Sequence, residues 1–173
     1  MSDFTTQIIK SNILQAKQQE EINNVFIKCN TFNNFPLCDP NKILNKSAYI
    51  TLLCDDVSNI VGYAFFNTYT DNQKNFLTDS DTLYNKNYTI LNSIYIEQVA
   101  LLPKLQNRQL GRKLYKEILK YAYTLPDLTA IYAHAAVDNK QSLKFHCKQG
   151  FIPIGDFRQN DFFGYKNYHS ILY

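Results

Sequence analysis

Ile22, Val25, Phe26 and Cys29 recur at three- and four-residue intervals among polar residues, so Ile13 to Thr31 reads as one amphipathic helix. A first strand is expected ahead of it, near Phe4 to Ile9. Asp39 followed by Pro40 is an N-cap with proline at the first helical position, which predicts a short helix through Leu44. The period then changes from helical to alternating. AYITLLC and IVGYAFFNTYT are β-rich runs broken by the polar DDVSN, the pattern of a hairpin between antiparallel neighbours. The segment Asp71 to Asn87 has little periodicity and reads as a long surface connection, either disordered or facing a substrate.

From Tyr88 to Leu102 the chain is β-like again, and Gln109 to Tyr123 is helical with Leu110, Leu114, Ile118 and Ala122 in one apolar stripe. TAIYAHAAV is another strand. A shorter helix, Lys140 to Gln149, stops at Gly150, and apolar runs near Phe151 to Phe157 and Tyr168 to Tyr173 close the chain as strands. The order predicts an α/β (α+β) fold, a mixed, mostly antiparallel sheet of about six to seven strands flanked by helices on both faces.

Length and composition narrow this further. A chain of 173 residues, 45% hydrophobic and 19% charged, has the size and balance of one globular domain. No apolar run approaches the roughly 20 residues that span a bilayer, and the N-terminus lacks a basic and apolar leader, so a cytoplasmic protein is expected. Cys29, Cys38, Cys54 and Cys147 have neither metal-ligand nor disulfide spacing, so no metal is expected. The net charge of +3 is too mild to argue for nucleic acid. Nothing in the sequence decides between a monomer and a homodimer.

One segment concentrates charge. In LPKLQNRQLGRKL, Lys104 and Arg108 precede the predicted helix and Arg112, Lys113 and Lys116 occupy its start, while the first carboxylate, Glu117, comes later. A helix N-terminus carries about half a positive charge and disfavours cations. The arrangement reads either as a solvated basic face or as a site whose missing partner is an anion such as phosphate. Gly111 in the first turn would let a ligand approach the backbone. The spacing is neither a Walker loop nor a Rossmann fingerprint.

The run IYIEQVALLPKLQNRQLGRKL resembles the fourth strand, turn and helix of the GNAT superfamily, N-acetyltransferases that use acetyl-CoA and carry the loop motif Q/R-x-x-G-x-G/A. Gln106 matches its first position and Gly111 its last, and Gln109 stands where an internal glycine is usual. HAAVDNKQSLKFHCKQGFIPIGDF resembles the family's second signature, a strand, an asparagine, a short helix and a closing Gly-Phe. The resemblance covers about the C-terminal half. It implies the acyl-CoA N-acyltransferase fold and an acetyl-CoA pyrophosphate held by Gln106, Asn107, Arg108, Gln109, Leu110, Gly111 and Arg112. It further implies pantetheine contacts through the backbone of Val99 and Leu101, with Asn139 and Ser142 contributing from the last helix.

An amine acceptor must lose a proton and the leaving thiolate benefits from gaining one. Glu97, an acid in an otherwise apolar strand where alternation puts it on one face with Tyr95 and Val99, is either a general base, acting directly or through water, or a paired structural carboxylate. His146 shares a helix face with Asn139 and Ser142, where the superfamily often has a proton-donating tyrosine. It is either that acid or a core histidine bonded to a carbonyl. His134 and His169 read as structural. The spacing from Asn139 through Phe157 also resembles the phosphinothricin and methionine sulfoximine type of acetyltransferase. A small-molecule amine, with an amino acid as the leading candidate, is thus the expected acceptor. The alternatives are a non-catalytic acyl-CoA-binding module and an acetyltransferase of a protein N-terminus or aminoacyl-tRNA.

Overall fold

A computed structural model describes residues 3–32, 39–45, 47–69, 77, 80–85, 92–162 and 165–173. The elements of its first half are β1 (Thr5–Lys10), α1 (Ala16–Phe32), α2 (Pro40–Leu44), β2 (Tyr49–Cys54), β3 (Ile60–Tyr69) and β4 (Asp81–Leu83). Then come β5 (Ser93–Leu101), α3 (Leu110–Ala122), β6 (Ala130–Ala136), α4 (Lys140–Lys148), β7 (Gly155–Phe162) and β8 (Tyr165–Leu172). Among the described residues the eight strands are ordered β1-β2-β3-β5-β6-β8-β7-β4. By contacts the chain forms two compact units, Met1–Asn67 with Ile96–Pro126, and Thr68–Tyr95 with Asp127–Tyr173.

In the first unit β1, β2 and β3 form an antiparallel meander. Asp55 builds the β2–β3 turn by accepting from the amides of Val57 and Asn59 at 3.2 and 2.8 Å, a side-chain mimic of a backbone turn. At one end the amide of Leu102 donates to Val61, and at the other the Asn67 side chain meets Glu97, so β3 and β5 run antiparallel. Alternation along β2 and β3 separates two apolar faces. Ile50, Leu52, Tyr63 and Phe65 pack with Ile22, Val25 and Cys29 of α1 and Ile43 of α2. On the other face Tyr49 stacks on Phe66 at 5.4 Å and both rings meet Tyr121 of α3.

Helices therefore cover both faces, which is why β2 and β3 read as nearly continuous hydrophobic runs. Side chains as buried as Ile22 and Val25 each contribute on the order of 2 kcal/mol. The apolar stripe of α3 is buried as the spacing predicts, with Tyr115 added to it. Asp39 caps α2 by accepting from the amide of Asn41 at 2.9 Å, as expected of an N-cap.

In the second unit the amide of Thr129 donates to Asn92 and Tyr95 reaches His134, so the start of β5 runs parallel to β6. The β6–β8, β8–β7 and β7–β4 pairs are antiparallel. The sheet is mixed and mostly antiparallel. Its eight strands exceed the six to seven expected, because β4 lies in the segment read as a connection, and the rest of that segment falls largely outside the described residues. A strand of three residues is too short to show alternation.

The strand expected at Phe151 to Phe157 is instead β7, which continues through the polar Arg158, Gln159 and Asn160. Those side chains are exposed, so hydrophobicity does not mark the strand. The helix expected from Ile13 begins at Ala16, after a 3-10 turn over Ser11–Ile13. Gly155 is required by close approach. A Cβ there would lie 2.6 Å from the carbonyl oxygen of Thr82 on β4. Among the described residues no helix is long and apolar enough to cross a membrane.

Candidate active site

Glu97 sits on β5 in the first unit, half-buried, with its carboxylate accepting from the Asn67 side-chain amide at 3.1 Å. The oxygen of that amide accepts from the backbone N–H of Ala48 at 2.7 Å, which fixes the orientation of Asn67 and with it the donor facing Glu97. The neighbouring Gln98 accepts from the hydroxyl of Tyr63 at 3.1 Å. Glu97 and Gln98 are thus both anchored to β3. Val99 is half-buried on the same strand.

The loop after β5 is tied down by the carbonyl of Leu101, which accepts from the Cys29 thiol at 2.9 Å and from the side-chain amide of Gln106 at 3.2 Å. Burial pushes the Cys29 thiol up to about 11, against the lowering effect of its bond to Leu101, so it remains a protonated donor. Gln106, matched to the first position of the loop motif, therefore braces the loop against the strand.

Asn107 and Gln109 both have φ of 61°, in the left-handed region. Gln109 is the N-cap of α3 and supplies no side-chain cap, and the first turn contains no acid. A non-glycine residue held there costs about 1 kcal/mol. The sequence places glutamine where a glycine is usual, and the backbone adopts the conformation glycine favours. These two left-handed residues, on either side of Arg108, lead directly into the start of α3, where a helix leaves its first amides without partners in its own backbone.

Arg108, Gln109 and Arg112 are exposed, Leu110 is buried and Gly111 is half-buried with an ordinary helical φ. A guanidinium nitrogen of Arg112 approaches the side-chain oxygen of Gln109 at 3.4 Å. Lys113 is drawn off to the carbonyl of Phe4 at 2.9 Å. The residues expected to hold a pyrophosphate are thus one continuous loop and helix start, with two arginines beside it.

Asn139, Ser142 and His146 are together on α4 in the second unit. Asn139 is the N-cap, accepting from the amide of Ser142 at 2.9 Å. His146 is 4% exposed, and its Nδ1 lies 2.8 Å from the carbonyl of Ser142, so that nitrogen carries the proton and donates. Its ring stacks on Tyr173 at 5.3 Å. Burial pushes the His146 pKa down, more than the Ser142 carbonyl raises it. Burial, together with the neighbouring Cys147, pushes the Tyr173 phenol up to about 12. Cys147, next to His146 on the same helix, is exposed.

The lowered histidine makes a prediction. The unfolded chain binds a proton near an ordinary pKa of about 6.5, above the folded value, so this contribution to stability is complete above pH 6.5. It is lost as the pH falls through the folded value. The urea midpoint should drop between pH 7 and pH 5, and drop less in His146→Phe. Equal drops in the two proteins would assign the acid sensitivity elsewhere.

Sequence reasoning missed a third group. In the second unit the hydroxyl of Tyr95 lies 2.9 Å from His134 Nδ1, and His134 Nε2 lies 2.9 Å from a carboxylate oxygen of Asp81. The signal was hidden because Asp81 arrives on β4, the strand too short to read. His169 likewise pairs with Asp156 at 2.7 Å. Among the described residues no cluster of three or more His, Cys, Asp or Glu could hold a metal ion.

A mixed sheet whose central strand runs into a cation-flanked, acid-free helix start is the architecture of an acyl-CoA acyltransferase. The chain belongs to the acetyltransferase (GNAT) family, whose sequence model matches residues 19–151. No protein in the curated comparison matches the sequence. Among solved structures, Arabidopsis thaliana NAA60 in complex with acetyl-CoA is similar with a TM-score of 0.68 at 12% identity, covering 98% of this chain and 96% of that one. The ribosomal-protein-S18-alanine N-acetyltransferase of Escherichia coli is similar with a TM-score of 0.64 at 11% identity, covering 97% and 91%. A protein provisionally named a phosphinothricin N-acetyltransferase has a TM-score of 0.63 at 15% identity, covering 97% and 96%. At these identities the likeness is one of fold. The protein is an N-acetyltransferase, and the family's acetyl donor is acetyl-CoA.

Proposed function

We propose that the protein transfers an acetyl group from acetyl-CoA to the primary amine of a small molecule, with an amino acid as the leading acceptor. The observation that carries the donor half is the start of α3, where left-handed Asn107 and Gln109, an acid-free first turn and two exposed arginines suit a doubly charged pyrophosphate. The amides of residues 107 to 112 would hold it, aided by Arg108 and Arg112, and Gln106 would keep the loop in place. The backbone of Val99 is the preferred pantetheine contact, because the Leu101 carbonyl already accepts two hydrogen bonds. Asn139 and Ser142 would contribute from the start of α4. When bound, acetyl-CoA supplies the thioester that activates the acetyl group.

Glu97 is proposed to attract the acceptor's ammonium and to take its proton, directly or through an ordered water. The Asn67 contact supports this, since it holds one carboxylate oxygen in a fixed place. For His146 the Ser142 bond and the Tyr173 stack support the core role over the acid role.

A second reading, acetylation of a protein N-terminus, is favoured by a fold neighbour named for the alanine of a ribosomal protein. Thiol release from acetyl-CoA, measured with amino acids, polyamines, aminoglycosides and N-terminal peptides, separates the two. Turnover of an amino acid at rates well above the peptides supports the first reading. Turnover of peptides alone would replace it with the second, and no turnover would leave a non-catalytic acyl-CoA-binding module.

A further inference from the structure

In the first unit, the point where β5 runs out into the loop before α3 is held from four sides. A Cβ at Gly62 on β3 would run into the Leu101 side chain and lie 3.0 Å from the Ala100 carbonyl oxygen, so β3 leaves room there for Leu101 to lie across it. The amide of Leu102 donates to Val61 at 3.0 Å. The Leu101 carbonyl accepts from the Gln106 side-chain amide at 3.2 Å and from the Cys29 thiol at 2.9 Å, which occupies both of its lone pairs. Three of these contacts belong to the sheet and the loop themselves. The fourth reaches across 72 residues from α1.

Packing alone does not account for a cysteine at this place. Cys29 lies in the same buried cluster as Ile22, Val25 and Ala100, with Leu102 packed against it. A small aliphatic side chain would fill that position, whereas a thiol adds a donor aimed at a backbone acceptor. Cys29 is 1% exposed, so water does not compete for its proton. The burial that pushes the thiol up to about 11 also keeps that proton in place throughout the neutral range.

We propose that Cys29 is a positioning residue for acetyl-CoA binding, whose thiol, together with Gln106, fixes the Leu101 carbonyl and with it the place from which the loop departs toward α3. The role rests on the reading that this loop and helix start hold the pyrophosphate. From Leu101 the chain enters a 3-10 turn over Pro103–Leu105, in which the amides of Leu105 and Gln106 donate to Leu102 and Pro103 at 2.8 and 3.1 Å. The left-handed Asn107 follows directly after Gln106. A turn this tight passes any shift of Leu101 on to the amides of residues 107 to 112. Without the Cys29 bond the carbonyl keeps one partner of two, and the loop gains freedom that a ligand would have to remove. Cys29 touches neither acetyl-CoA nor acceptor in this role and acts through the backbone.

Three variants of the full chain test this. Cys29→Ala removes the donor, Cys29→Val removes it while filling the space, and Cys29→Ser supplies another donor of similar size. Hydrogen exchange of the ligand-free protein should show the amides of residues 102 and 104–107 exchanging about 3- to 10-fold faster in the alanine and valine variants than in the wild type, on the scale of one hydrogen bond. Titration calorimetry should show acetyl-CoA bound about 3- to 10-fold more weakly by the same two variants, and the serine variant should restore both properties to within about twofold. Melting temperatures should rank differently, because valine preserves the apolar packing that serine disturbs. If alanine leaves the chain unfolded, the comparison of valine with serine decides. Valine at wild-type exchange and affinity, with serine the weaker binder, would overturn the proposal and make Cys29 a packing residue. A wild-type protein that does not bind acetyl-CoA would sink the pyrophosphate reading and the functional role with it, while the exchange rates would still decide whether the thiol holds the loop.

Discussion

Replacing Gly111 with aspartate is expected to abolish the rise in melting temperature that acetyl-CoA gives the wild-type protein, without lowering the melting temperature of the ligand-free protein. The two effects have opposite signs because the same charge acts on different partners. In the ligand-free helix an acid in the first turn of α3, which has none, complements the macrodipole by about 0.3–1 kcal/mol, and aspartate is no worse a helix former than glycine. Gly111 has an ordinary helical φ, so a side chain introduces no backbone strain. Against a pyrophosphate the new carboxylate is a like charge at the binding amides. A hundredfold loss of affinity, about 3 kcal/mol, is enough to remove the shift at practical concentrations. Differential scanning fluorimetry with and without acetyl-CoA reads both effects at once. A variant that keeps its ligand shift would move the pyrophosphate away from this helix.

Glu97→Gln is expected to lower kcat/KM for the amine by roughly a hundred- to a thousandfold while the acetyl-CoA shift stays at its wild-type size. Glutamine keeps the shape of the residue, and its side-chain oxygen can still accept from Asn67, so the anchor at 3.1 Å survives and the fold with it. The charge that draws an ammonium is gone. Steady-state kinetics at saturating acetyl-CoA measures the loss, and a rate within a fewfold of wild type would reduce Glu97 to a structural carboxylate paired with Asn67.

The fold was legible wherever burial imposes a period. The stripe of α3 and the β2–β3 hairpin could be read because one or both faces meet a core. The C-terminal strands could not. β7 is mostly exposed, so its polar run gives no alternation, and β4 is three residues long. The unusual charge of the α3 start was readable from the sequence alone, since five cations around a helix start contradict the dipole. The left-handed backbone beside it was not, because glutamine seldom adopts that conformation and asparagine, which adopts it more readily, is common throughout this sequence. His134 was passed over for a plainer reason. No partner lies near it in sequence, and Asp81 stands 53 residues away. Relationships of that kind are set by strand order, which composition and spacing do not encode.

The left-handed residues of the α3 loop have a further consequence for how tightly an anion can be held. A loop that reaches this shape with glycines is free to leave it, and a ligand must then order it. Here side chains at Asn107 and Gln109 narrow the unfolded ensemble, and Gln106 pins the loop to Leu101. The strain is settled during folding, so the amides are preorganised before any ligand arrives, and binding should carry a small ordering entropy.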